Sequence, residues 1–175
     1  MKKNFLALIL VSMLVSPLAL AEGGYGGLSY GQVAIDDIDT GNIGIVLGSI
    51  DENGIGYELF YSFTVIDDED TDLGFEVEAE TDTIGIFAVY QTPGDIYLKG
   101  KLGYGFVNLK FDNVDLGSAS DSAEGLAFGL AGGIEISDGA LELTYYRFAD
   151  LEEFDGIDID DVEVEMINLA FLWTF

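Results

Sequence analysis

The last part of the chain shows the clearest alternation of hydrophobic and polar positions. Apolar side chains recur at every second position in one run: Ile167, Leu169, Phe171, Trp173 and Phe175. Side chains alternate between the two faces of a strand, so these five share one face, which becomes aromatic toward the end. A strand with lipid on one side and a mixed barrel lumen on the other needs this pattern. An edge strand of a soluble sandwich is the alternative interpretation.

The same alternation extends upstream and predicts an all-β protein with eight antiparallel strands. The segment at 55–66 is the plainest, because large apolar or aromatic residues occupy every odd position from Ile55 to Val65. The first segment is rich in glycine, so its faces cannot be assigned from the pattern. The predicted strands cover residues 25–35, 41–50, 55–66, 83–91, 96–109, 123–136, 140–148 and 161–175.

The connections between these strands alternate between tight turns and long acidic loops. Turns are predicted at 51–54, 92–95 and 137–139, and Asn53-Gly54 is a strong hairpin signal. A short loop is predicted at 36–40 and long loops at 67–82, 110–122 and 149–160. After the N-terminal leader no run of 18 apolar residues occurs, so a membrane-spanning form must be a closed barrel, in which every backbone group is paired. Short turns at one end and long loops at the other are typical of transmembrane β-barrels of the outer membrane.

The N-terminus has the features of a secretory signal peptide. Lys2 and Lys3 precede an apolar run at 5–15, and Ala19-Leu20-Ala21 provides a small-x-small cleavage site. The run is shorter than the roughly 20 residues that a spanning helix needs. We therefore expect residues 1–21 to be removed. Residues 22–175 should form one outer-membrane β-barrel domain with no further domain attached.

The composition is strongly acidic and excludes several classes of function. The chain has 33 acidic residues against six basic ones, and it contains no His and no Cys. Nucleic-acid binding is excluded because phosphate contacts need Lys and Arg. Catalysis by Ser/His or Cys/His arrangements is excluded as well. Carboxylate pairs occur as often as chance allows among so many acids, so we expect no enzyme activity, no cofactor and no dedicated metal site.

Charged residues at inward-facing positions suggest how the lumen is closed. The strand pattern directs five of them into the barrel: Glu58, Lys99, Lys101, Glu135 and Glu142. Charges in a barrel just wide enough for side chains must be paired to be tolerated. We expect an ion-pair network that closes the lumen. The alternative is a plug that rearranges to pass ions.

The acidic loops and one arginine leave two further alternatives open. Clustered carboxylates at 67–72 and 155–161 offer the oxygen ligands that Ca²⁺ prefers. An EF-hand loop starting at Asp68 fails, because Leu73 occupies the position that requires Gly. The loops are therefore either a weak divalent-cation site that bridges to lipopolysaccharide phosphates or a solvated surface. Arg147 lies near the end of a predicted strand, at one of the alternate positions that face the lipid. Its side chain either reaches lipopolysaccharide phosphates or is solvated.

Several segments together resemble the OmpA-type family of small eight-stranded outer-membrane barrels. The likeness spans the predicted domain and is carried by LKGKLGYGF at 98–106, GLAFGLAGGIE at 125–135, LELTYY at 141–146 and the terminal Phe175. The family pattern does not require such acidic loops, so these are a departure from it.

The resemblance implies an integral protein of the Gram-negative outer membrane with a structural role in the envelope. Its implied partners are membrane lipid, lipopolysaccharide and the outer-membrane assembly machinery, which would read the C-terminal strand ending in Phe175. A small cation-selective channel and a loop-mediated adhesin or receptor are the alternative functions.

Overall fold

The computed structural model of the protein describes residues 23–35, 38–66, 77–113, 117–148, 151–154, 157–162 and 164–175. The expected signal peptide at 1–21 and the acidic stretch at 67–76 lie outside these ranges. In the described part of the chain, no helix has the length and apolar character needed to cross a membrane.

Eight strands close into an antiparallel barrel in which the first strand pairs with both the second and the last. Two further described strands pair with each other as a separate sheet. The barrel confirms the predicted fold class and strand count. The strands are β1 Gly24–Ile35, β2 Ile38–Ile50, β3 Ile55–Ile66, β4 Val77–Gln91, β5 Ile96–Asn113, β6 Gly117–Ile136, β7 Gly139–Arg147, β8 Leu151–Phe154, β9 Ile157–Val162 and β10 Val164–Thr174.

The three tight turns form where the sequence predicts them, at one end of the barrel. Gly54 has a φ of +81° and donates its N–H to the Asp51 carbonyl at 2.9 Å. Ser137 has a φ of 51°, an uncommon value for a residue with a side chain. Tyr25 is the register partner of Thr174, so the first and last strands meet at this same turn end.

The predicted loops are shorter than the sequence indicates because the strands continue past the apolar segments. The loop predicted at 110–122 is mostly strand, since β5 and β6 pair out to Asn113 and Gly117. β4 and β2 likewise begin earlier than predicted, and the loop predicted at 149–160 contains β8 and part of β9. Side chains that lie beyond the lipid need not be apolar. Alternation therefore stops before the backbone pairing stops.

The two faces of the barrel wall differ as the alternation predicts. Apolar side chains on the outer face are exposed, for example Leu126 at 77% and Leu98 at 61%. In β10 the outer positions include Ile167, Leu169 and Trp173, all exposed, as is Phe175 just after the strand. Phe171 lies between them and is half-buried, with its ring edge-on to Trp173 at 4.8 Å. An outer surface of this kind suits a lipid environment.

The register also resolves the faces of β1, which the sequence left unassigned. Tyr25, Ser29 and Val33 are buried in the lumen, whereas Leu28 and Tyr30 are more than half exposed on the outer face. The inward positions between Tyr25, Ser29 and Val33 are Gly27 and Gly31, which have no side chains. The sequence therefore shows no clear alternation in β1.

Candidate functional site: a buried charge cluster

Four oppositely charged side chains meet in the lumen near the turn end. Glu58 comes from β3, Lys99 and Lys101 from β5, and Glu142 from β7, and each is at most 3% exposed. The Lys101 Nζ lies 2.5 Å from Glu58 Oε1 and 2.8 Å from Glu142 Oε1. The Lys99 Nζ lies 2.5 Å from Glu142 Oε2 and 3.6 Å from Glu58 Oε2. The four groups therefore form a closed cycle of alternating charge with no net charge.

Hydroxyl groups satisfy the remaining polar atoms of this charge cluster. The Tyr25 hydroxyl donates to Glu58 Oε2 at 2.7 Å, and the Tyr97 hydroxyl donates to Glu142 Oε2 at 3.0 Å. Lys101 also donates to the Tyr146 hydroxyl at 2.9 Å, while Thr144 donates to Glu142 at 3.2 Å. A buried ion pair is tolerated when its desolvated atoms find such partners. Removing one member would leave a buried charge uncompensated.

The same three residue types occur in the same arrangement on two sets of three strands. In the first set, Tyr25, Gly48 and Glu58 are successive register partners across β1, β2 and β3. An added Cβ on Gly48 would overlap the Tyr25 ring, so the tyrosine lies over the glycine and reaches the glutamate beyond it.

The second set repeats this geometry on the other side of the barrel. Tyr97, Gly133 and Glu142 are register partners across β5, β6 and β7, and a Cβ on Gly133 would overlap the Tyr97 ring. The two sets lie four strands apart in an eight-stranded barrel. The glutamates therefore approach the cluster from opposite sides.

An aromatic layer covers the charge cluster on the side facing the long loops. The Tyr146 ring stacks on Phe60 at 5.0 Å and on Phe148 at 5.8 Å, and it lies 5.4 Å from Phe87. These four side chains are at most 3% exposed. Aliphatic side chains continue the buried interior toward the loop end: Val33, Val107, Leu109, Val164 and Met166. Packed side chains therefore separate the cluster from the loop end among the described residues.

The turn-end side of the cluster opens into a vestibule of about 230 Å³ that includes Lys99, Tyr97 and Glu135 in its lining. Glu135 has the predicted inward parity, but it is exposed and forms no ion pair with Lys99 or Lys101. Its register partner is Ala140, one inward position closer to the turns than Glu142. The expectation that Glu135 joins the network is therefore wrong. Alternation along a strand shows which face a residue occupies, but not how far along the barrel axis it lies.

Sequence reasoning brought four of the five predicted charges together but missed their uncharged partners. Tyr25, Tyr146 and Thr144 were not among the predicted site residues. Tyr97 was not among them either. The alternation of β7 could have indicated Tyr146, because Tyr145 faces the lipid and the next residue must therefore face the lumen.

The charges near the loop end are arranged differently. Lys110 is 3.4 Å from Glu80, and both side chains are about half exposed. Arg147 is half-buried with outward parity and is the register partner of Glu165. Among the described residues, no group of three or more acidic side chains could hold a metal ion. The side chains of the acidic segments at 67–72 and 155–161 lie outside the described residues, so the divalent-cation alternative stays a prediction.

Comparison with known proteins gives a family match and a shared fold. The family model described as "Outer membrane protein beta-barrel domain" matches residues 5–175. No curated protein sequence matches the chain.

Three solved barrels illustrate the shared fold. Neisserial surface protein A has a TM-score of 0.67 at 10% identity, with 88% of this chain and 98% of that one covered. The N-terminal barrel domain of Pseudomonas aeruginosa OprF has a TM-score of 0.59 at 10% identity, covering 87% and 98%. Yersinia pestis Ail, solved with the heparin analogue sucrose octasulfate, has a TM-score of 0.57 at 19% identity, covering 87% and 96%.

Proposed function

Because the chain belongs to the family of outer membrane protein β-barrel domains, we propose that it serves the Gram-negative envelope as a closed, non-conducting barrel that carries acidic loops. Membership of the family makes the protein an integral barrel of the outer membrane. The closed state is supported by the neutral charge cluster of Glu58, Lys99, Lys101 and Glu142 beneath the aromatic layer.

The aromatic layer supports the closed barrel over a cation-selective channel. In a channel, the charge cluster would have to exchange its partners for hydrated ions, and those ions would then have to pass Phe60, Phe87 and Tyr146. Each of these rings is at most 1% exposed. Phe60 stacks on Tyr146 and Phe87 lies 5.4 Å from it, so the passage would require repacking of the lumen. The interior of an eight-stranded barrel is about wide enough for side chains to fill it. We therefore favour the closed barrel.

Single-channel recording in a planar lipid bilayer tests this proposal. The refolded protein should be confirmed as a barrel by its heat-dependent gel mobility, and a general porin should serve as the positive control. We expect no conductance steps from the inserted protein. Discrete, cation-selective steps would instead assign the function to the lumen and reject the closed barrel.

An acidic binding surface at the loop end is the second candidate function. Ail was solved with a polyanionic sugar, but this chain has 33 acidic residues against six basic ones. Its loops would repel a polyanion and attract divalent cations or a cationic partner instead. Calorimetry with calcium in physiological salt, followed by deletion of residues 67–76, tests this candidate. The absence of any heat of calcium binding would reject the proposal that the loops bind divalent cations.

The same composition argues against catalysis. The sequence has no His or Cys to act as base or nucleophile, and both buried glutamates are held by lysines in the charge cluster. We propose no enzyme activity. Membrane lipid and lipopolysaccharide on the outer face, and the assembly machinery at the strand ending in Phe175, are the proposed partners.

A further inference from the structure

One glycine interrupts a row of leucines on the outer face of the barrel wall. Leu98, Gly132, Leu143 and Leu169 are successive register partners across β5, β6, β7 and β10, and all four are exposed at outward positions. The three leucine side chains are 53% to 61% exposed. Because Gly132 has no side chain, the wall is indented between Leu98 and Leu143.

This indentation is the floor of a groove of about 360 Å³ that opens on the outer face. Within the described part of the chain no charged residue lines the groove, and its sides are aliphatic: Ile96, Leu98, Ile134, Leu141, Leu143 and Leu169. Ile96 directly follows the turn between β4 and β5 and is the register partner of Ile134. The groove therefore faces the membrane leaflet on the side of the short turns.

The packing of the barrel does not require a glycine at position 132. The nearest atom to an added Cβ would be Leu98 Cδ2 at 4.0 Å, which is an ordinary contact. Gly26, also at an outward position, differs because the same chain covers it: an added Cβ would lie 3.2 Å from Leu47 and 3.5 Å from the Phe175 ring. A strand glycine without such a cover is typical of a place where a ligand approaches the backbone closely.

The aromatic residues of the turn end leave this sector of the wall open. Tyr90 on β4 and Trp173 on β10 are about half exposed on the outer face. On β5, β6 and β7, the outward side chains nearest the turns are instead the aliphatic Ile96, Ile136 and Leu141. Aromatic girdles mark the interface between lipid and water in outer-membrane barrels. Their interruption here leaves an aliphatic entry to the groove from the interface.

We propose that the groove binds one acyl chain of a phospholipid in the leaflet on the turn side. The family match makes the protein an integral barrel of the outer membrane, so the groove is continuous with the lipid-facing surface around it. Association within a membrane depends on close van der Waals packing, which small residues permit. The acyl chain lies over Gly132, fills the gap between Leu98 and Leu143, and exchanges more slowly than the surrounding lipid.

Native mass spectrometry of the refolded protein in detergent tests this site. Palmitoyl-oleoyl phosphatidylethanolamine is added stepwise, and complexes with one lipid are compared with those that carry several. We expect the first lipid to bind saturably, before a broad series of further adducts. Phosphatidylglycerol with the same chains should behave alike, because no charged residue lines the groove in the described part of the chain. A statistical series without a distinct first complex, or a complex that depends on the headgroup, would overturn the proposal.

Substitutions in the groove give the second readout. Gly132→Leu fills the groove and Leu143→Ala removes one of its sides, so each should abolish the saturable complex, while heat-dependent gel mobility confirms that the barrel folds. Ala88→Leu adds a side chain at an exposed outward position of β4, outside the groove, and is the matched control that should keep the complex. Retention of the complex in Gly132→Leu would overturn the proposal. A dimer that Gly132→Leu dissociates would overturn it as well and would assign the groove to a second copy of the chain.

Discussion

The two halves of the barrel place tyrosine, glycine and glutamate in the same order on consecutive strands, but only one half supplies the cations. In the half formed by β5, β6 and β7, Tyr97 is followed two and four positions later by Lys99 and Lys101. In the half formed by β1, β2 and β3, the corresponding positions after Tyr25 are Gly27 and Ser29. The first half thus buries an acid that it cannot neutralise.

This difference shows how the halves depend on each other. Glu58 is neutralised by lysines that come from the opposite half, and Lys101 contacts both glutamates at nearly equal distances. The Lys99 ammonium lies closer to Glu142 than to Glu58. Lys101 is therefore the principal link between the halves, and Lys99 belongs mainly to its own half.

Removing Lys101 should destabilise the barrel most, because Glu58 and Glu142 would then share only Lys99. We expect Lys101→Met to lower the free energy of unfolding by about 4 kcal/mol, within the range for breaking a buried ion pair. Urea unfolding of the refolded barrel measures this loss. Lys110→Met is the matched control, since its side chain is 44% exposed and its ion pairs should contribute less than about 1 kcal/mol. Equal losses for the two variants would contradict the account.

The two glutamates should differ in a defined order. Glu142→Gln removes the nearest partner of Lys99 and one partner of Lys101, so we expect a loss of about 3 kcal/mol. Glu58→Gln leaves Lys99 with Glu142 and should cost less. Urea midpoints of the two variants at neutral pH give the order. A larger loss for Glu58→Gln would reject the assignment of Lys99 to its own half.

The tyrosine hydroxyls should matter equally in the two halves. Tyr25→Phe and Tyr97→Phe each keep the ring over its glycine and remove one donor to a buried carboxylate. We expect each to lower the free energy of unfolding by about 2 kcal/mol, as for hydrogen bonds to charged groups. The ratio of the two losses, from parallel urea titrations, tests the repeat. A loss in only one half would show that the second hydroxyl is incidental.

The glycines beneath the tyrosines provide a smaller, steric test. An added Cβ at Gly48 or Gly133 meets the tyrosine ring, so each Gly→Ala variant should be overpacked. We expect losses of about 1–2 kcal/mol, typical of forced side-chain shifts in a core. Gly100→Ala is the matched control, because a Cβ there meets nothing within 4 Å. Wild-type stability in Gly48→Ala and Gly133→Ala would contradict the packing argument.

The smallest effect concerns the turn between β2 and β3 and depends on pH. The N–H of Ile55 and the side chain of Asn53 donate to the Asp51 carboxylate and lower its pKa from the ordinary 3.8. A pKa lowered by folding stabilises the folded state above the ordinary value, and this contribution is lost as the pH falls through the lowered pKa. Asp51→Ala should therefore be less stable than wild type near neutral pH, and the difference should shrink on acidification. A difference independent of pH would contradict this.

The barrel itself was predictable because two signals reinforce each other. Alternation gave the faces of the later strands, and Asn53-Gly54 and the other tight turns placed their ends. The ends of β5 and β6 nearest the long loops were not predictable. Polar residues such as those at 117–121 show no hydrophobic alternation, because a strand that extends beyond the lipid needs none. β1 was ambiguous because Gly27 and Gly31 have no side chains to mark its inward face.

The charge cluster was predictable in membership but not in geometry. Parity correctly placed Glu58, Lys99, Lys101 and Glu142 in the lumen, because a charge on the outer face would meet lipid. The same reasoning included Glu135, since parity does not reveal how the register staggers adjacent strands. The repeat of tyrosine, glycine and glutamate was equally hidden. Its members are 33 and 45 residues apart in the sequence and meet only through strand pairing.

A neutral cycle of charges joins the two halves, and a variant that restores neutrality after the loss of Lys101 tests this link. In Glu58→Gln/Lys101→Met, the Lys99 and Glu142 pair remains neutral at 2.5 Å. We predict that this double variant is more stable in urea than Lys101→Met alone, because no buried charge is left uncompensated. A double variant as unstable as the sum of the two single losses would contradict the account.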